Sequence, residues 1–353
     1  MRRSILVERV NGPGCEDSSC SESCSEVEVV IGKEHLHANG VFSNVYRAVL
    51  YSPRRQPVAI KKIWPDKSHP DAAEKEIELL TKVNHECVVK LLYRFKLGEG
   101  SQACDCLIMD FLPIDLSKLR LSQPNRRFHP LDVKLYSFQM FAGIDHISSK
   151  DIIHCDIKPS NLIVDPELGL LKIADFGNAR ILKKSDKVDS YQVTRYYRAP
   201  ELVFGCTNFT VSVDRWSCAC VLSEIILGKP LLQGKDKLDQ GRVIIEMLGY
   251  PSSSAVKAMN VSRPRISRKP GRGLKPLIAG YDFPPEAEDI VSRILVYEPR
   301  LRMRPEEVMG HKYYDELRRL PPAKRENGRK IPSLNYWTIE QSTQSDRTRR
   351  PTT

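Results

Sequence analysis

"IIHCDIKPSNLIVD", residues 152–165, is the stretch that decides the fold. It sets Asp156, Lys158 and Asn161 in the order Asp-x-Lys-x-x-Asn. After a short pair of strand-like segments comes "ADFGNA", residues 174–179, with Asp175, Phe176 and Gly177. Asp-Phe-Gly alone is a weak tripeptide signal. The ordered combination is specific for a phosphoryl-transfer catalytic loop followed by its metal-binding turn. Such a loop normally reads His-Arg-Asp, and here the middle residue is Cys155.

Moving a γ-phosphoryl group asks little covalent chemistry of a protein. It asks for a gripped triphosphate, neutralised charge and a hydroxyl placed in line. Asp156 is the candidate to orient the hydroxyl or accept its proton. Lys158 would stabilise charge on the transferring group, Asn161 would hold a metal ion and brace the loop, and Asp175 is the main Mg²⁺ ligand. Upstream, Lys61 in "VAIKK" sits on a strand and can reach nucleotide phosphates. Glu74, Glu76 and Glu78 all stand on the next helical segment. Glu76 is preferred as the partner of Lys61 because it shares a face with Leu79, Leu80 and Val83. Downstream, "RAPE" (198–201) places Glu201, expected to pair with Arg302 of "RLRMRP".

Around these residues the pattern changes once. Residues 1–26 are polar, Ser- and Cys-rich, and expected to be disordered. "SEVEVVIG" (25–32), "NVYRAVL" (44–50), "QPVAIKKI" (56–63) and "CLIMDFLP" (106–113) read as strands, and "PDAAEKEIELLTKV" (70–83) as a helix. From about residue 114 the spacing is helical: 131–148, 212–228 with a stop at Gly228, 241–249 and 286–295. The expectation is an α+β chain with a β-rich amino lobe over about 27–112 and a mainly helical carboxyl lobe over about 113–316. A basic extension follows over 317–353, disordered at its end.

Composition narrows the alternatives. The chain has 353 residues, 41% of them hydrophobic, enough for a large core. No apolar run is long enough to span a bilayer, and "MRRSILVERVNG" lacks the apolar region of a secretory signal. An intracellular place, cytoplasm with the nucleus as an alternative, is expected. The ten cysteines then read as free thiols. Cys15, Cys20 and Cys24 match no common zinc spacing, and Cys218 and Cys220 read as small core residues. A net charge of +11 suits phosphate- or carboxylate-rich partners. Nucleic acid would be one, but no binding motif supports it.

Taken together, residues 28–316 resemble the eukaryotic protein kinases, and "DIKPSN" resembles their serine/threonine type. That resemblance implies the bilobal kinase fold, ATP and Mg²⁺ as cofactors, protein substrates, and Thr194 as the hydroxyl bracing Asp156 and Lys158. "VKLYSFQMFAGIDHI", "DIKPSNLIVDPELGLLKIADFGNA", "SYQVTRYYRAPELVFG" and "HKYYDELRRLPPAKRENGRKIPSL" are jointly similar to the shaggy, or glycogen synthase kinase-3, family. This implies Val45, Ala59, Met109, Asp110 and Leu112 at the adenine and Tyr191 as the autophosphorylated tyrosine. It also implies substrates carrying a phosphate C-terminal to the target.

Three departures bear on function. The glycine-rich loop reads "ANGVFSNV" (38–45), keeping only Gly40, with small Ala38 and Ser43 in the other glycine positions, so nucleotide affinity is expected to weaken. Cys155 replaces one of three basic residues implied for a substrate-phosphate pocket, leaving Lys75 and Arg180. The family's scaffold groove is replaced by the basic "RPRISRKP" (263–270), so scaffold partners are not carried over. "RRS" (2–4) is too short to support an amino-terminal pseudosubstrate. The rival readings are a pseudokinase acting as a binding scaffold, favoured by the altered loops, and a nucleic-acid binder, favoured by charge alone.

Overall fold

A computed structural model describes residues 2–10, 26–40, 43–66, 70–100, 103–182 and 195–335. Cys15, Cys20, Cys24, Tyr191, Thr194 and the tail from residue 336 lie outside the described residues. The chain forms two compact units. One is Met1–Pro113 with Asp175–Gly177, and the other is Ile114–Ala174 with Asn178–Thr353.

The first unit is built on β1 (Arg3–Arg9), β2 (Glu26–Ile31), β3 (His35–Asn39), β4 (Ser43–Ser52), β5 (Gln56–Ile63), β6 (Leu91–Leu97) and β7 (Cys104–Asp110), with helix α1 (Ala72–Lys82). The strand order is β2-β1-β6-β7-β5-β4-β3, and β2 also pairs with β4, which closes the sheet on itself and leaves β3 outside the closure. Alternation sorts the strand side chains. Val29, Ile31, Ala48, Leu50, Val58, Ile60, Cys106 and Ile108 fill the interior. Their neighbours in sequence point outward: Val45 stands opposite Lys61, Lys61 opposite Leu107, and Ala59 opposite Met109. One outer row therefore carries Val45, Ala59, Lys61 and Met109 together.

The expected disordered head is corrected by β1. Arg3–Arg9 pairs along its length with β2 and at its end with β6. Val7 is buried and Ile5 packs against the same core, while Leu6 between them is exposed. Ser4 of "RRS" stands opposite Val30 as a strand residue, which does not suit a pseudosubstrate.

The second unit begins with β8 (Ile114–Asp115), α2 (Leu116–Ser122) and α3 (Pro130–Ser149). Next come β9 (Ile152–Ile153), β10 (Leu162–Asp165), β11 (Leu170–Ile173) and β12 (Arg180–Ile181). Its remaining helices are α4 (Pro200–Val203), α5 (Ser212–Leu227), α6 (Lys237–Leu248), α7 (Ser253–Ala258), α8 (Lys275–Ile278), α9 (Pro285–Ile294) and α10 (Pro305–Met309). α3 and α5 are apolar on most sides and pack on each other as core helices. α5 stops at Gly228, whose φ of 78° gives the left-handed cap that glycine adopts without a Cβ penalty. β9 pairs with β12 and β10 with β11, so residues 154–161 span the gap between two short ladders. No helix among the described residues is long and apolar enough to cross a membrane.

The extension expected after residue 316 is packed as far as Ile331, which is buried. Arg325 is buried too. It donates to Asp132 at 2.6 Å, to the Pro166 carbonyl at 2.7 Å and to the Tyr136 hydroxyl at 3.1 Å. A buried guanidinium persists only when paired and hydrogen-bonded in this way.

Candidate active site

In the first unit, α1 presents Glu76 to the barrel because Glu76 shares a buried face with Ala73, Leu79 and Leu80. Lys61 Nζ donates to Glu76 Oε1 at 2.7 Å and Oε2 at 2.8 Å, and to Asp175 Oδ1 at 2.9 Å. Glu78 instead takes Lys82, one turn on. Burial pulls the Lys61 ammonium towards neutrality, but the Glu76 and Asp175 carboxylates outweigh it and hold its pKa above the usual lysine value. The site therefore keeps a fixed positive charge. Asp175 has φ of 65°, a left-handed conformation that is costly outside glycine and is maintained only by its surroundings.

The residues expected at the adenine lie in the same unit. Ala59, Met109 and Leu112 are buried, Val45 is half-buried, and Asp110 accepts the Lys90 N–H at 3.2 Å. Gly40 forms the turn after β3, donating to the Ser43 carbonyl at 2.9 Å. A Cβ there would meet that oxygen at 2.8 Å, so this turn requires glycine, whereas Ala38 sits in the β3–β4 ladder opposite Val45.

In the second unit, Asp156 Oδ2 accepts from three donors: Lys158 Nζ at 2.8 Å, Asn161 Nδ2 at 3.0 Å and Asn178 Nδ2 at 3.1 Å. Asn161 also donates to the Asp156 carbonyl at 2.9 Å. With its nitrogen engaged, the Asn161 carboxamide oxygen is the atom left for a cation. Asp156 Oδ1 has no hydrogen-bond partner among the described residues. One carboxylate oxygen is locked and the other is available to a hydroxyl.

The loop carrying Asp156 is hung from α5. Asp214 Oδ2 accepts the His154 N–H at 2.7 Å and Oδ1 accepts the Cys155 N–H at 2.9 Å. Burial pushes the Asp214 carboxyl up, and those two N–H donors oppose the shift, leaving it at about 7. Cys155 has φ of 65°. Its thiol is raised to about 12, first by burial and then by Asp214, so it is protonated and unreactive at neutral pH.

Arg180 reaches the Cys155 thiol, and its guanidinium carbon lies 5.2 Å from the Phe209 ring centroid. Its Nε is buried and has no hydrogen-bond partner among the described residues. Lys75 is exposed on α1 in the first unit. Glu201 and Arg302 form a bidentate pair at 2.7 and 2.6 Å, and both are buried. Arg302 also donates to the Ser212 carbonyl at 3.1 Å, which anchors the start of α5.

Sequence reasoning missed Asn178 and Asp214. Asn178 directly follows Asp-Phe-Gly, and Asp214 is an acid inside an apolar helix. Both were legible as oddities without an assigned task.

Residues 33–314 match the protein kinase domain family. The chain belongs to the protein kinases, the enzymes that pass the γ-phosphoryl group of ATP to hydroxyls of protein substrates. It is 40% identical over 316 residues to a Caenorhabditis elegans protein named "Putative serine/threonine-protein kinase gskl-1", a match covering 88% of this chain and 86% of that protein.

The residues present fit the cofactor this domain implies. Magnesium takes hard oxygen donors, usually one or two from protein with the rest from phosphates and water. Among the described residues, no group of three or more His, Cys, Asp or Glu is placed to hold a metal. The half-exposed Asp175 carboxylate in the first unit and the Asn161 carboxamide oxygen in the second are each a hard oxygen donor of the kind such an ion takes.

Proposed function

We propose that this chain is a serine/threonine protein kinase of the shaggy, or glycogen synthase kinase-3, type, with a reduced preference for pre-phosphorylated substrates. The state of Asp156 carries the reading: three donors fix Oδ2, and Oδ1 has no partner among the described residues. Mg·ATP, when bound, supplies the phosphoryl group and the divalent charge that offsets it. Lys61, held by Glu76, grips the phosphates, and Asp175 and Asn161 are the metal ligands. Asp156 Oδ1 accepts the hydrogen bond of a serine or threonine hydroxyl and aligns it, while Lys158 offsets charge on the group in flight.

The substrate-phosphate pocket follows from Cys155. A thiol that is neutral at pH 7 contributes no cation, and Arg180 beside it leans on Phe209. Lys75 in the first unit and Arg180 in the second are the two basic residues that the family resemblance leaves for a substrate phosphate. One charge-assisted hydrogen bond is worth about 1.5–3 kcal/mol, so restoring a guanidinium shifts preference by about tenfold or more.

The test uses purified protein, γ-labelled ATP and one peptide in two forms, with and without a phosphoserine C-terminal to the target. Phosphotransfer is expected in the wild type and lost in Asp175→Asn. Cys155→Arg is expected to raise the primed-to-unprimed ratio of kcat/KM by about tenfold. Absence of transfer in the wild type removes the kinase reading. An unmoved ratio in Cys155→Arg removes only the account of the phosphate pocket.

A further inference from the structure

The barrel wall carries a pocket of about 480 Å³ that the function above does not use. Its floor is a built feature. Arg47, Val49 and Tyr51 follow each other at strand spacing on one outward row of β4, and His35 of β3 stands opposite Arg47. The Gly32 N–H donates to the Val49 carbonyl at 2.8 Å. A Cβ at Gly32 would meet the Tyr51 ring at 3.0 Å, so glycine lets the ring close on the backbone. Arg2 covers the ring from 4.0 Å.

The lining is cationic and holds no carboxylate. Arg2, Lys33 and Arg47 all contribute to it, and none makes an ion pair among the described residues. The nearest acid in sequence, Glu34, is taken by Arg3 and Lys62. Three permanent cations around one concavity concentrate a positive potential that an anion must answer. A phosphate monoester is close to a dianion at neutral pH and offers three acceptor oxygens, which suits several cations converging on one group. Arg2 and Gly32 precede the residues matched to the kinase domain, so β1 and its neighbour add this pocket to the domain's own β4.

We propose that this pocket binds a phosphorylated serine or threonine side chain of a partner protein, through residues other than those of the catalytic set. The proposal does not depend on the reading of Cys155, because it uses neither Lys75 nor Arg180.

The experiment measures binding to the full chain by fluorescence anisotropy. The probes are a phosphoserine peptide, the same peptide with serine or aspartate, inorganic phosphate, and vesicles containing anionic lipid. The phosphoserine peptide is expected to bind at least about tenfold tighter than the other two peptides, with inorganic phosphate competing at higher concentration. The double variant Arg2→Gln, Lys33→Gln is expected to weaken it by about tenfold with phosphotransfer to an unmodified peptide unchanged, which also shows that the variant folds. The double variant Lys75→Gln, Arg180→Gln is expected to retain binding. Equal affinity for the three peptides overturns the proposal, as does a loss confined to the Lys75 and Arg180 variant. Vesicle binding without peptide binding overturns it in favour of a membrane surface.

Discussion

At the scale of single residues, Asp156 shows how one carboxylate is divided between structure and chemistry. Lys158, Asn161 and Asn178 converge on the same oxygen, which fixes that side of the carboxylate, while the second oxygen has no partner among the described residues. Asn178 is the member that motif reading passes over. Asn178→Leu keeps the size and removes the donor, so kcat is expected to fall by about tenfold or more, with KM for ATP little changed. Steady-state kinetics with varied ATP checks this, and a loss confined to KM would assign Asn178 to nucleotide binding instead. That Asp156, Lys158 and Asn161 come together was readable from their spacing, in the order phosphoryl-transfer chemistry would ask for. Asn178 was not, because an amide after Asp-Phe-Gly acquires meaning only through what it touches.

Among elements, α3 and α10 carry a titratable contact. Asp145 on α3 is raised to about 7, first by burial and then by the charge and hydrogen bond of Glu306 on α10, against the pull of Arg215 and Arg304. The folded state therefore holds this proton more tightly than the unfolded chain, whose aspartates titrate near 3.8. Its stabilising contribution is full below about pH 4 and is lost as pH rises through about 7. Asp145→Asn is expected to flatten that dependence. Between pH 5 and pH 8 its Tm should fall less than the wild type's, by about 2 °C or more, as read by thermal unfolding in matched buffers. Helices of this kind were legible where one face is apolar: α1 revealed Glu76 through its company with Leu79 and Leu80. Strand β1 was not legible, since "RSILVER" alternates over few residues and its pairing with β2 and β6 is non-local.

For the whole molecule, β1 and Arg325 show that the folded body exceeds the span of its kinase motifs. β1 closes the barrel that keeps β5 and β7 in register, and those strands carry Lys61 and Met109. Removing residues 2–10 opens that closure and uncovers Val29 and Ile31. The expected result is a Tm lower by at least about 5 °C, measured by calorimetry on the shortened chain; an unchanged Tm would make β1 an ornament on an independent sheet. The Asp214 clamp works in the opposite sense, by making one position dispensable. It grips residues 154 and 155 through their main-chain N–H groups, so the bend that presents Asp156 does not depend on the side chain at 155. Exchanging arginine for cysteine at 155 therefore leaves that grip, and the three donors clasping Asp156 Oδ2, with every partner they use.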